Sequence, residues 1–71
     1  MNRFRITSRC ECQALLIAVL DEHRHVVEGS AERLGIIEVA PAHSIGAEGD
    51  RFDVAWLCPF CARNTLRMFH V

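Results

Sequence analysis

The sequence Cys58-Pro59-Phe60-Cys61 decides how this chain is expected to fold, together with a second pair, Cys10-Glu11-Cys12, near its start. Two cysteines with two residues between them can wrap one ion, and the ring of Pro59 favours the turn by fixing φ. The first pair is tighter, but an extended or turn conformation lets both thiols reach one ion. No other cysteine occurs. Since zinc takes four ligands in a tetrahedron, the sequence predicts one structural zinc ion bound by Cys10, Cys12, Cys58 and Cys61.

Other uses of these cysteines stay open. They could form disulfides or remain free thiols, and a C-x-x-C pair also occurs in thiol oxidoreductases. A site of three cysteines and one histidine is a minor alternative. None of the four histidines has a convincing spacing to a cysteine pair, and we expect each to be exposed or packed: His23, His25, His43 and His70.

The length and composition fit a protein that needs a metal. The chain has 71 residues, of which 51% are apolar, and we expect one domain over residues 1–71. A core of this size rarely contributes more than ~3–5 kcal/mol. No signal peptide is evident, and the longest apolar run, residues 14–20, is far shorter than the about 20 residues that span a bilayer. We therefore expect a cytoplasmic protein with reduced thiols and no membrane contact.

A short pattern precedes each cysteine pair. Arg3-Phe4-Arg5-Ile6 comes before Cys10, and Arg51-Phe52-Asp53-Val54 comes before Cys58 at the same distance. Such alternation is typical of a half-buried strand, and a second apolar segment follows each pair. Two strand–turn–strand units that face one ion predict a small, mostly-β fold. We expect a zinc-ribbon or β-tent-like antiparallel sheet held by one zinc.

Residues 9–28 have two interpretations. Their apolar residues recur at helical spacing, and Ser8 and Glu11 fit a capping box, which favours a helix. On a helix, however, Cys10 and Cys12 would point to different sides and could not reach one ion. We favour a hairpin with strands at 13–20 and 24–27 and a turn at 21–23, while a helix that starts after Cys12 stays open.

The following segments carry weaker signals. Residues 29–35 are expected to hold one short helical turn with Ser30 as its N-cap. Ile36–Val39 is expected to be a short strand, and residues 41–50, which contain proline and two glycines, a mobile loop.

The cleanest strand pattern is that of the second unit. Phe52, Val54 and Trp56 alternate with polar or small residues, so we expect them to face the core. In the strand that leaves the second pair, Leu66 and Met68 share one face. The expected core partners are Leu15, Ile17, Val19, Ile37, Val39 and Leu66.

The cysteine framework resembles a known family. Cys10-x-Cys12 followed by Ala14 and an apolar strand, and later Leu57-Cys58-Pro59-x-Cys61, is similar to the structural-zinc half of the glutathione-dependent formaldehyde-activating family, which has the β-tent (Mss4-like) fold. The resemblance implies that the four cysteines are structural zinc ligands. The family usually has glycine after each pair, where this chain has Gln13 and Ala62, and it has a second, functional cysteine cluster between the pairs, where this chain has none. The resemblance covers about a quarter of the chain and implies no activity.

The expected function is that of a non-catalytic zinc-stabilised binding or adaptor module, of a regulatory kind, with another protein as its partner. A closed site of four cysteines leaves no position for water or substrate. A thiol-redox or lyase enzyme is the less favoured alternative. The segment 65–71 is apolar on both faces and could pair with a second copy at a sheet edge, giving a homodimer.

Nucleic-acid binding through the ribbon is a further alternative. The net charge of −1 argues against it. Phe60 or Phe69 could stack on bases. Arg9 and Arg63 could instead offset the negative charge of four thiolates bound to zinc. The arginines that could line one face are Arg3, Arg5, Arg9, Arg63 and Arg67.

Overall fold

Seven β-strands form the regular structure of this chain, for which a computed structural model describes residues 3–70, leaving aside the side chains of residues 47 and 48. They are β1 (Phe4–Arg9), β2 (Leu15–Leu20), β3 (Val26–Arg33), β4 (Ile36–Val39), β5 (Ala42–Glu48), β6 (Arg51–Leu57) and β7 (Asn64–His70). β1 to β4 form a first antiparallel sheet in that order, and β5 to β7 form a second. The predicted small, mostly-β fold is confirmed. Within residues 3–70 there is no helix long and apolar enough to cross a membrane.

The core lies between the two sheets. The second sheet contributes the large side chains of β6, since Phe52, Val54 and Trp56 are at most 1% exposed. This confirms the predicted inward face of that strand. Trp56 donates its indole Nε1–H to the backbone oxygen of Ile17 at 3.1 Å, which satisfies the polar atom of the ring and joins the two sheets.

Most of the predicted core partners lie elsewhere. Leu15, Ile17 and Val19 are half-buried on the outward face of β2, while Leu16, Ala18 and Leu20 fill the core. Every residue of β2 is apolar, so alternation along this strand cannot say which face is buried. The predicted partners outside β2 were also wrong, because Ile37, Val39 and Leu66 are 66%, 77% and 57% exposed.

Residues 13–28 form a hairpin, as expected, and the helical alternatives were wrong. β2 pairs with β3 in antiparallel register, with Leu16 opposite Ala31. The turn between them is held by Asp21, whose Oδ1 accepts the backbone N–H groups of His23 and His25, both at 2.9 Å. Both bonds favour the charged form of the Asp21 carboxyl and therefore lower its pKa, and the bond from His25 has the larger effect. The helical spacing arose because a central strand of a sheet is apolar on both faces.

The helical turn expected at residues 29–35 is absent from the structure. β3 continues through Ser30 to Arg33, and the chain reverses at Leu34 and Gly35, which both have positive φ (53° and 80°). A two-residue turn with positive φ at both positions matches the twist of the flanking strands. The short strand Ile36–Val39 is confirmed.

The loop expected at residues 41–50 is largely a strand, β5. Its glycine at position 46 lies at a register shift between Ile45 and Ala47, where φ is 63°, so it marks a β-bulge and not a loop. Gly49 follows in the turn to β6, also with positive φ. Small residues and glycine therefore indicated a loop where they allow a bulged strand.

The chain passes from one sheet to the other beside Gly29. The backbone N–H of Ala40 donates to the oxygen of Gly29 at 3.1 Å, and that of Leu57 donates to the oxygen of Pro41 at 2.8 Å. A Cβ atom at position 29 would overlap the carbonyl oxygen of Ala40 and come within 2.9 Å of the Cβ of Ala42. The close approach of β3 to the start of β5 therefore requires glycine at this position.

Candidate metal centre

The first cysteine loop connects β1 to β2. The backbone N–H of Cys10 donates to the oxygen of Ala14 at 2.9 Å, and that of Gln13 donates to the oxygen of Cys10 at 3.0 Å. Gln13 has a φ of 77°, in the left-handed region that residues with a side chain seldom adopt. These contacts make the chain turn tightly, so that Cys10 and Cys12 lie on the same side of the loop.

The second cysteine loop connects β6 to β7 and repeats the same design. The backbone N–H of Cys58 donates to the oxygen of Arg63 at 3.0 Å, and that of Ala62 donates to the oxygen of Cys58 at 2.9 Å. Ala62 has a φ of 59°. Each loop is thus entered by a strand, β1 or β6, that contains the phenylalanine of the repeated pattern, which confirms the expected strand–turn–strand units.

All four cysteine sulfurs converge at one point. The Sγ atoms of Cys10 and Cys61 are 3.5 Å apart, and those of Cys12 and Cys58 are 3.6 Å apart. All four lie within 4.8 Å of one another. A tetrahedral ion with metal–sulfur bonds of about 2.3 Å requires sulfurs about 3.8 Å apart, so the cluster has the dimensions to hold a metal ion.

The four cysteines differ in exposure and in acidity. Cys10 and Cys58 are buried, Cys12 and Cys61 are half-buried, and all four are free thiols. The backbone N–H of Cys12 favours the Cys10 thiolate and, against burial, lowers the pKa of Cys10 to about 6. For Cys61 the backbone N–H of Arg63 also favours the thiolate, but burial and the three neighbouring thiols raise its pKa to about 12. In such a cluster, one thiol loses its proton readily and another resists losing its proton. A bound cation offsets the negative charge of the thiolates and so lets all four thiols ionise.

Charged side chains surround the cluster. Arg63 Nη1 lies 2.6 Å from Glu11 Oε2, which joins the two cysteine loops across the site, although both side chains are largely exposed. Arg9 donates from Nη1 to the oxygen of Gln13 at 3.2 Å. Arg67 donates from Nη2 to the oxygen of Arg9 at 3.4 Å, which joins β7 to β1. Arg9 and Arg63 therefore lie beside the cysteine loops, and their role in offsetting the charge of the thiolates stays a prediction.

The aromatic rings that could have stacked on nucleic-acid bases are engaged in the core. Phe69 stacks on Phe52 with 5.6 Å between ring centroids and meets Trp56 edge to face at 6.0 Å. Phe60 also packs against the core. Of the arginines, Arg9, Arg63 and Arg67 gather near the cysteines, whereas Arg5 lies opposite Val19 toward the other end of β1.

No histidine joins the cysteine cluster within residues 3–70. His23 and His25 lie in or next to the exposed turn between β2 and β3, and His43 and His70 are exposed on the second sheet. Sequence reasoning did not find the backbone role of Gln13 and Ala62. The available signal was that the resembled family has glycine at both positions.

Comparisons with models of known protein families, with curated protein sequences and with solved structures found no match for this chain. The resemblance to the β-tent family therefore stays a prediction.

Proposed function

We propose that this protein is a non-catalytic binding module in which Cys10, Cys12, Cys58 and Cys61 hold one structural zinc ion. The observation that supports it is the convergence of four thiols, within 4.8 Å of one another, from two separate loops. Four cysteine sulfurs are a common ligand set of structural zinc, which they bind as a tetrahedron. Zinc in such a site supplies cross-linking, because four protein ligands leave no open position for water or substrate.

The position of the cluster explains what the ion would stabilise. Cys10 and Cys12 belong to the first sheet, and Cys58 and Cys61 to the second. The paired sulfurs are 51 and 46 residues apart in sequence. One ion would thus hold the two sheets together at one end of the core, where a 71-residue chain has few apolar contacts to spare. Structural zinc contributes ~10–16 kcal/mol in small peptides, more than such a core supplies.

Binding another protein is favoured over binding nucleic acid. Phe60 and Phe69 pack in or against the core, Arg63 pairs with Glu11, and the net charge is −1. A surface that binds single-stranded nucleic acid combines free aromatic rings with cations along one groove. Four free thiols fit a reducing compartment, so the proposal places the protein in the cytoplasm.

Native mass spectrometry of the purified protein tests the zinc site. We expect one zinc per chain, and we expect Cys58→Ser to lose it. His43→Ala is the matched control, because it removes an exposed potential ligand outside the cluster, and it should keep one zinc. A folded, zinc-free protein with four free thiols would contradict the proposal.

The non-catalytic part of the proposal needs a separate assay. Thiol–disulfide exchange and turnover of a formaldehyde adduct are measured with the zinc-loaded protein, and we expect neither. Activity that Cys58→Ser abolishes while the fold remains intact would show that the cluster is a reactive site.

A further inference from the structure

The outward face of the first sheet carries an apolar line along its second strand. Leu15, Ile17 and Val19 alternate with the core residues of β2 and point away from the second sheet. At the edge of the same sheet, Ile37 and Val39 of β4 are strongly exposed on this face. These are five of the six residues that the sequence assigned to the core as partners of β6. Their apolar character is therefore explained by neither the core nor the metal site.

Two lines of opposite charge flank the apolar line. Arg5 and Arg9 lie on β1 to one side of β2, and Glu28 and Glu32 lie on β3 to the other. The register places them at the same two levels, because Arg5 and Glu28 pair with one β2 residue and Arg9 and Glu32 with another. Among the described residues, none of these four side chains forms an ion pair.

This arrangement is complementary to itself under one symmetry operation. A twofold axis parallel to β2, placed over the apolar line, stacks two copies face to face and exchanges the positions of β1 and β3. Arg5 of one copy then faces Glu28 of the other, and Arg9 faces Glu32, on both sides of the axis. An axis across the strands would instead bring Arg5 opposite Arg9, which is repulsive. Sheets that pack face to face about 10 Å apart bring such side chains within reach of one another.

We propose that the outward face of the first sheet binds a second copy of this chain, with the twofold axis parallel to β2. The apolar line of each copy packs on that of the other, and the charged lines fix the orientation. The proposal deepens the binding function proposed above and rests on it. It also moves the expected homodimer from β7, at the edge of the second sheet, to the outward face of the first sheet.

The size of this face sets the strength of the contact. With the axis over β2, the strands that overlap are β1, β2 and β3, while β4 lies beyond the partner. Three strands about 4.8 Å apart and about 20 Å long offer roughly 300 Å² per copy. An interface of this size lies below the standard total of about 1,200–2,000 Å², so we expect a weak, transient dimer. Exposed charges that pair across it also make the association weaker at high salt.

Sedimentation of the zinc-loaded protein over a range of concentrations, combined with charge reversal, tests the proposal. We expect a monomer–dimer equilibrium that Arg5→Glu and Glu28→Arg each weaken by at least about tenfold, because each opposes like charges. The two substitutions in one chain should restore the dimer, since the two reversed side chains would then face each other with opposite charges. Arg5→Glu combined with Glu32→Arg should not restore it, because both reversed residues would face like charges.

Controls separate this surface from the alternatives. Met68→Glu places a charge on the exposed outer face of the second sheet and should leave the dimer unchanged. A wild-type protein that stays monomeric at all concentrations overturns the proposal, as does a dimer that only Met68→Glu disrupts. Equal restoration by both double variants would refute the stated axis. Zinc per chain and chains per particle are separate readouts of one native mass spectrum, so a failed dimer is distinguishable from a failed zinc site.

Discussion

Gln13 and Ala62 occupy equivalent positions in the two cysteine loops, and both hold their backbone at positive φ, 77° and 59°. Each follows the second cysteine of its loop and donates its backbone N–H to the oxygen of the first cysteine. The left-handed conformation is therefore a requirement of the loop, and this chain meets it with residues that adopt it at a cost.

Glycine at either position is expected to stabilise the zinc-loaded protein. The left-handed conformation costs a residue with a Cβ about 1–2 kcal/mol, while glycine loses about 0.5–1 kcal/mol more than alanine through chain entropy. Gln13→Gly and Ala62→Gly should each raise the free energy of unfolding by up to about 1 kcal/mol, measured by urea denaturation with zinc in excess. Ala55→Gly, in the middle of β6, is the control and should destabilise. A loss of stability at both loop positions would contradict this account.

Removal of the metal is expected to unfold the protein. The four sulfurs join the two sheets at the end of a small core, and the binding energy of a structural zinc becomes folding energy. A strong chelator should collapse the dispersion of the amide NMR spectrum, and added zinc should restore it. Acid should act in the same direction, because protons compete with the ion for the thiolates. If dispersion survives complete removal, the apolar core is sufficient on its own.

Gly29→Ala is expected to destabilise strongly for a steric reason. The new Cβ would overlap the carbonyl oxygen of Ala40, which is backbone and cannot rotate away. Overpacking costs about 1–3 kcal/mol, and this contact lies where the two sheets join. Gly35→Ala is the matched control, since that site has a φ of 80° but open space around it, so only the backbone cost of about 1–2 kcal/mol applies. Thermal unfolding measures both variants, and a negligible loss for Gly29→Ala would refute the close approach.

Truncation of Trp56 is expected to remove the largest single contribution to the core. The ring is fully buried and donates to the Ile17 oxygen, so Trp56→Ala should cost about 3–5 kcal/mol. Trp56→Phe keeps most of the packing but leaves that carbonyl without its indole partner, and it should cost less. Chemical denaturation measures both. The fluorescence of the wild-type protein gives an independent check, because an emission maximum typical of full exposure would contradict the burial.

The sequence by itself determined the elements whose pattern has only one interpretation. The four cysteines, spaced in two short pairs, predicted that two loops meet, and the structure brings all four together. β6 alternates large apolar side chains with polar or small ones, so its buried face could be recognised directly.

Where the local pattern fits more than one structure, only the tertiary structure decided which face is buried and which segment forms a strand. β2 is apolar at every position, so its sequence does not say which face is buried. The tight turn from Cys10 to Ala14 fixes which side chains point inward, so that Leu16 is buried and Ile17 is partly exposed. The glycine-containing segment after Pro41 becomes β5 because β6 offers it a pairing partner. Alternation of apolar and polar residues shows only that the two faces of a strand differ in polarity. A strand with two apolar faces does not show this alternation. Its orientation depends on contacts with distant residues, which local sequence does not contain.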